Sequence, residues 1–164
     1  MRALSAGLVL ALSLAATAAA KVTERSDTGF TVVLEGDSTI TPDYAWRRFI
    51  DIGGWWSDAH TFSGSARNMA VKPEPGGCWC ETLPGGGFVR HMDVVYAAPG
   101  KMLILKGGMG PLLFMGAVGA LTLKFEPLDE GTHVTLTFAV GGHDEKAWKD
   151  LPAAVDAVLT EQLG

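Results

Sequence analysis

The sequence predicts an α+β domain, a curved antiparallel sheet of about six to seven strands wrapped on a long C-terminal helix, with short helices after strand 1. Three observations carry this. Between residues 66 and 140, short apolar and β-branched runs are broken by Pro-Gly, Gly-Gly and Asp-Glu-Gly turns, and connections so short join antiparallel neighbours. Apolar residues return to helical spacing on both sides of that series. The 164 residues, 48% apolar and 19% charged with 21 glycines, suit one globular domain with one core.

Residues 1–20 stand apart from the fold. Arg2, an apolar run to Ala16 and the small residues Ala18-Ala19-Ala20 before Lys21 have the layout of a secretory signal cleaved after Ala20. The run is alanine-rich and falls short of the roughly 20 strongly apolar residues a spanning helix needs. The expected organisation is a signal peptide over 1–20 and one domain over 21–164, placed in the periplasm or secreted, with no stable membrane insertion after cleavage.

Residues 30–34 alternate within a Thr/Val-rich run and open the sheet, and the stretch to Ile40 continues that strand past Gly36. Thr41-Pro42-Asp43 then supplies an N-cap, a proline at the first helical position and an early acid. Ala45, Trp46, Phe49 and Ile50 follow at helical spacing, and the helix stops at Gly53-Gly54. Strands are expected over 66–72, 78–83, 88–97, 102–106, 118–127 and 132–140. Trp148, Leu151, Val155, Val158 and Leu159 make a closing amphipathic helix, which Pro152 should kink or restart.

Charge and motif content narrow the function classes. Eighteen acidic side chains oppose 13 basic ones, and no basic cluster exceeds Arg47-Arg48, so a phosphate-binding face for nucleic acid is not expected. Two cysteines are too few for a disulfide framework or a structural zinc site. No Gly-Lys-Ser/Thr follows a glycine loop, and neither His-Glu-x-x-His nor a Ser-His-Asp order stands out. No metal or cofactor is expected. Oligomeric state is not encoded in any visible motif.

Trp46, Ile52-Gly53-Gly54-Trp55-Trp56, Gly76-Gly77-Cys78-Trp79-Cys80-Glu81, Val89-Arg90-His91-Met92, Pro99-Gly100-Lys101-Met102-Leu103 and Gly131-Thr132 together form a recognisable series. In order and spacing it resembles the SRPBCC superfamily, the START-like or helix-grip proteins that include polyketide cyclases/dehydrases and binders of hydrophobic ligands. The likeness runs over residues 29–163 and is closest to an exported bacterial branch. It implies a helix-grip fold and a ligand cavity between sheet and C-terminal helix. One scaffold there serves binding, transfer and catalysis, so the resemblance does not choose among them.

Trp55 and Trp56 end the first helix, where the resemblance puts the cavity rim; the alternative is that they plug the core. Cys78 and Cys80, two apart on a strand, face one side, with Trp79 and Glu81 on the other. A disulfide across that spacing is expected to be strained, and the simplest role for both thiols is packing as small apolar side chains, here on the ligand side with Met92. Met109, Phe114 and Met115 lie in the glycine-rich stretch 107–116, which forms either a lip over the cavity or a bulged strand. If Pro84-Gly85-Gly86 closes a three-residue hairpin, Glu81 pairs with Val89 and Trp79 with His91, which puts Glu81 and His91 diagonally on one face. They are either a general-base pair or a solvent-side ion pair on the convex face, the simpler of the two. Arg90 would meet an acidic ligand group or a helix carboxylate such as Asp156. His60, His133 and His143 are expected in solvent.

The leading expectation is an exported domain that binds or carries a hydrophobic or lipid-like molecule, lined by Trp55, Trp56, Cys78, Cys80, Met92, Met109, Phe114 and Met115. The alternatives are a cyclase/dehydrase-like enzyme using Glu81, His91 or Arg90, and a ligand-free interaction or stress-response domain whose cavity is filled by Trp55, Trp56, Phe114 and Met115.

Overall fold

The computed structural model describes residues 20–143 and 149–163. The expected signal segment, Ala20 apart, and Trp148 of the closing helix lie outside the described residues. Eight strands form one antiparallel sheet: β1 (Lys21–Ser26), β2 (Gly29–Ser38), β3 (Met69–Val71), β4 (Cys78–Thr82), β5 (Phe88–Ala98), β6 (Met102–Gly107), β7 (Ala117–Leu128) and β8 (Gly131–Gly142). Their spatial order is β1-β2-β8-β7-β6-β5-β4-β3. Among the described residues two α-helices accompany it, α1 (Pro42–Ile50) and α2 (Leu151–Leu163). No helix among the described residues is long and apolar enough to cross a membrane.

This architecture corrects the expected one. Among the described residues there are eight strands rather than six or seven, the short helices follow the second strand, and the C-terminal helix is 13 residues rather than long. The extra strand is β1, whose sequence KVTERS buries no face; it is held by backbone pairing to β2 and therefore carries no apolar alternation to read. Eight strands span about 34 Å across the sheet, whereas a 13-residue helix is only about 20 Å long. So α2 does not cover the concave face alone, and a sheet gripped by one long helix is not what the chain builds.

The rest of that face is covered by the connection between β2 and β3, which runs from one side of the sheet to its opposite edge. Pro42 opens α1 as expected, but Thr41 caps with no side-chain bond; its carbonyl accepts from Ala45 N–H instead. Helix α1 buries Ala45, Trp46 and Phe49, and the Trp46 ring meets Phe125 of β7 edge-on at 5.9 Å. Single 3-10 turns follow at Ile52–Gly54, Asp58–His60 and Ala66–Asn68, the last occupying half of the strand expected over 66–72. Pro152 sits in the first turn of α2, where its missing N–H breaks no helical bond, so the helix starts there rather than kinking. Sheet residues Val32, Leu103, Leu105, Leu121, Leu123, Leu136 and Phe138 form the core, each at most 1% exposed.

Candidate functional site

Strands β4 and β5 make the site. Their hairpin closes as the sequence implies: Leu83 N–H donates to the Gly87 carbonyl, and Gly85 and Gly86 take positive φ angles of 84° and 94°. Glu81 pairs with Val89, but the register then shifts, so that Trp79 pairs with Met92 and Cys80 with Arg90. His91 is the extra residue, a β-bulge. A bulge re-aims side chains off the two-residue alternation, and here His91 and Met92 are both buried although adjacent. Gly107 of β6 faces this point, with no room for a side chain: a Cβ there would lie 2.4 Å from the His91 carbonyl oxygen.

Alternation on β4 sends Trp79 and Glu81 inward, to 1% exposure each. Glu81 Oε2 and His91 Nε2 are 3.0 Å apart, and Glu81 Oε1 accepts the Ser63 N–H at 2.5 Å. Burial pushes the Glu81 carboxyl up, but hydrogen bonds from Ser63, the Phe62 backbone and His91 outweigh it and hold the pKa below the usual range. Burial dominates at His91 and lowers its pKa despite the neighbouring carboxylate. The pair is thus an ionised Glu81 beside a neutral His91. The expectation of a solvent-side pair on the convex face is overturned, because the concave face is the Trp79/Glu81 side and the cysteines take the other.

A cavity of about 450 Å³ lies between this part of the sheet and α2. Trp56, Met69, Trp79, His91 and Phe138 line it from one side, and Leu151, Val155 and Val158 of α2 from the other. Residues 59–62 and 109–114 form its remaining walls. Phe62 lies against His91 with ring centroids 5.8 Å apart and against Phe114 at the same distance. Helix α2 is fastened there by Ser57 N–H donating to Gln162 Oε1 at 2.6 Å and by His60 against Glu161 at 3.2 Å. Trp56 Nε1–H donates to the His60 carbonyl at 3.0 Å, which locks the indole into the wall.

The candidates divide. Trp56, His91, Met109 and Phe114 line this cavity. Trp55 instead lines a second cavity of about 390 Å³ beside α1, and its indole abuts Trp56 at 5.7 Å. Met92 is buried in the core and Met115 is packed against it, neither in the cavity wall. Cys78 and Cys80 are bonded to each other on the outer side of β4, where their Cα atoms are 5.4 Å apart, within disulfide reach. Packing as free thiols on the ligand side is therefore corrected. Arg90 is exposed, pairs with Asp93 and donates to the Gly76 carbonyl at 3.2 Å, so neither the cavity nor Asp156 is its partner. His60 and His133, expected in solvent, are both about one-third exposed; His60 lines the cavity, and His133 pairs with Asp37 at 2.6 Å. Trp79, Phe62, Ser63 and Val155 were not proposed as site residues from the sequence; for Trp79 the parity it shares with Glu81 on β4 was the available signal.

No protein-family model matches this sequence, and no curated protein does. Solved structures match over most of the chain. A structural-genomics protein from Rhodobacter sphaeroides is 20% identical, with 88% of this chain and 91% of that one covered and a TM-score of 0.54. An uncharacterized protein from Rhizobium leguminosarum is 16% identical, with coverages of 89% and 97% and a TM-score of 0.53. A protein from Mesorhizobium loti is 19% identical, with coverages of 81% and 93% and a TM-score of 0.51. At these identities the likeness is one of fold alone.

Proposed function

We propose that the protein binds and carries a small hydrophobic molecule in the cavity between the sheet and α2, as a distant member of the SRPBCC superfamily acting outside the cytoplasm. The observation that carries this is the cavity itself: about 450 Å³, walled by tryptophan, methionine, phenylalanine and aliphatic side chains. Pockets of some 300–1,000 Å³ with apolar walls and few polar groups suit small apolar ligands. The space is open rather than filled by Trp55, Trp56, Phe114 and Met115, which supports this reading over a ligand-free interaction domain. The Cys78–Cys80 disulfide suits an oxidising compartment and so favours export.

One observation favours a second reading, a cyclase/dehydrase-like enzyme. His91 lines the cavity, and Glu81 orients its ring as a carboxylate orients a general base. Arg90 has no part in it. Native mass spectrometry of the chain from Lys21, made in an exporting bacterial host, tests the first reading: a retained apolar molecule is expected, held more weakly when Trp56→Ala removes part of the aromatic wall. An empty protein that takes up no apolar probe would sink it. If the retained molecule is turned over by the wild type but not by His91→Ala, the second reading replaces the first.

A further inference from the structure

We propose a second activity, independent of the cavity: the Cys78–Cys80 disulfide is a thiol–disulfide exchange site that passes its oxidation to a polypeptide carrying two thiols. The bond joins two residues of one strand, β4. That strand is already held on both sides at this point. Cys80 pairs with Ala70 of β3 and with Arg90 of β5, while Cys78 pairs with Asp93 of β5 and its carbonyl accepts the Lys72 N–H. The disulfide therefore staples no two elements together. Both cysteines are partly exposed, and with their backbones enclosed in the ladder the exposed part of each is its side chain. The cover that includes α2 lies over the opposite face, where Trp79 points.

Loop size makes the bond easy to open. With a sequence separation of only 2, it restricts the unfolded chain very little. On the loop-entropy account it is roughly a hundredfold easier to reduce than a disulfide closing a loop of about 100 residues. Exposed disulfides are also the ones that exchange. The partner class follows from the surroundings. Neither cavity is lined by Cys78 or Cys80, so the bond sits on an open sheet face rather than in a pocket. Arg90 and Asp93, the cross-strand neighbours, pair with each other and give that face a polar, hydrogen-bonding rim suited to an extended chain. Exchange itself needs no further reactant. One partner thiolate attacks a cysteine sulfur, the S–S bond breaks, and the other cysteine leaves as a thiolate. The partner's second thiolate then attacks its own sulfur in the mixed disulfide and releases the protein. The partner gives up two electrons and two protons and gains a disulfide, and Cys78 and Cys80 end as thiols.

Mixing the folded, oxidised protein with a reduced unstructured peptide that carries two cysteines tests this, with thiols trapped by alkylation and counted by mass spectrometry. The peptide should be oxidised as the protein's disulfide is lost, roughly tenfold or more faster than by the same concentration of glutathione disulfide. Circular dichroism should show the chain still folded after the transfer, since β4 keeps both its ladders. Presented with the oxidised peptide, Cys78→Ser or Cys80→Ser should accumulate a mixed disulfide through the remaining thiol, and the double variant should form none. A bond that resists excess reduced peptide until urea unfolds the chain would be structural and would overturn the proposal. Oxidation of the peptide no faster than by glutathione disulfide would overturn it as well, as would a protein isolated from an exporting host with both thiols free.

Discussion

Glu81 and His91 illustrate how burial and hydrogen bonding set opposite demands on adjacent groups. Glu81 keeps its charge because three neighbours donate to it, and His91 stays neutral because its surroundings disfavour a second charge. Both pKa values are lowered by folding, so acid costs stability twice. As pH falls below about 6.5 the unfolded chain protonates His91 before the folded one does, and below about 4.5 it does the same at Glu81. Stability contributed by the pair is thus complete above about 6.5 and lost stepwise as pH falls through the two folded values. His133 has the opposite sign, its pKa raised chiefly by Asp37, but it is a surface pair that salt screens. Urea midpoints taken at high salt should fall from pH 7 to pH 4, and the Glu81→Gln/His91→Phe double variant should show a flatter curve. A wild-type profile no steeper than that of the variant would show that the pair is not linked to folding. His91→Phe alone, which strips Glu81 of one donor, should cost roughly 1.5–3 kcal/mol. The residue types of this pair were visible in the sequence, but not the side of the sheet they occupy.

At the scale of elements, the bulge in β5 decides the site. Turn chemistry placed Glu81 opposite Val89 correctly, because Pro84-Gly85-Gly86 sets the register at the hairpin end. Counting on from there puts His91 opposite Trp79, yet the structure inserts His91 as an extra residue and pairs Trp79 with Met92. A second irregularity between Val94 and Tyr96 bends the same strand against β6. Nothing local in Val89-Arg90-His91-Met92 announces a bulge; its counterpart is Gly107, a strand away, whose missing side chain admits the His91 carbonyl. Gly107→Ala should therefore destabilise the fold by roughly 1–3 kcal/mol, since backbone atoms cannot step aside as a side-chain tip can. It should also disturb the His91 ring resonances, measurable in a ¹⁵N spectrum of the variant. An alanine variant of native stability would mean that the bulge does not depend on this close approach.

On the scale of the whole molecule, the cavity belongs to no single segment: residues 56–62, strands β3, β4, β5 and β8, the 109–114 turn and α2 all contribute walls. The disulfide lies on the other side of the sheet and encloses a loop too small to restrain the unfolded chain much, about 1–2 kcal/mol on the loop-entropy account. The Cys78→Ser/Cys80→Ser protein should therefore keep its affinity for an apolar probe within about twofold, with a modest fall in unfolding midpoint. A large loss of affinity would connect the outer face of β4 to the cavity in a way its side-chain directions do not.

Turn residues and apolar periodicity act over a few neighbouring positions, so the two helices, seven of the eight strands to within a few residues and the antiparallel hairpins were legible in the sequence. It also put Met109 and Phe114 among the candidates for a cavity wall. The tertiary structure alone decided the edge strand β1, the short span of α2, the outward turn of Cys78, Cys80 and Arg90, and the burial of Glu81 and His91. Strand alternation says which residues share a face but is symmetric between the two faces. Only the curvature of the whole sheet and the cover laid across it by residues 40–68 and α2 break that symmetry.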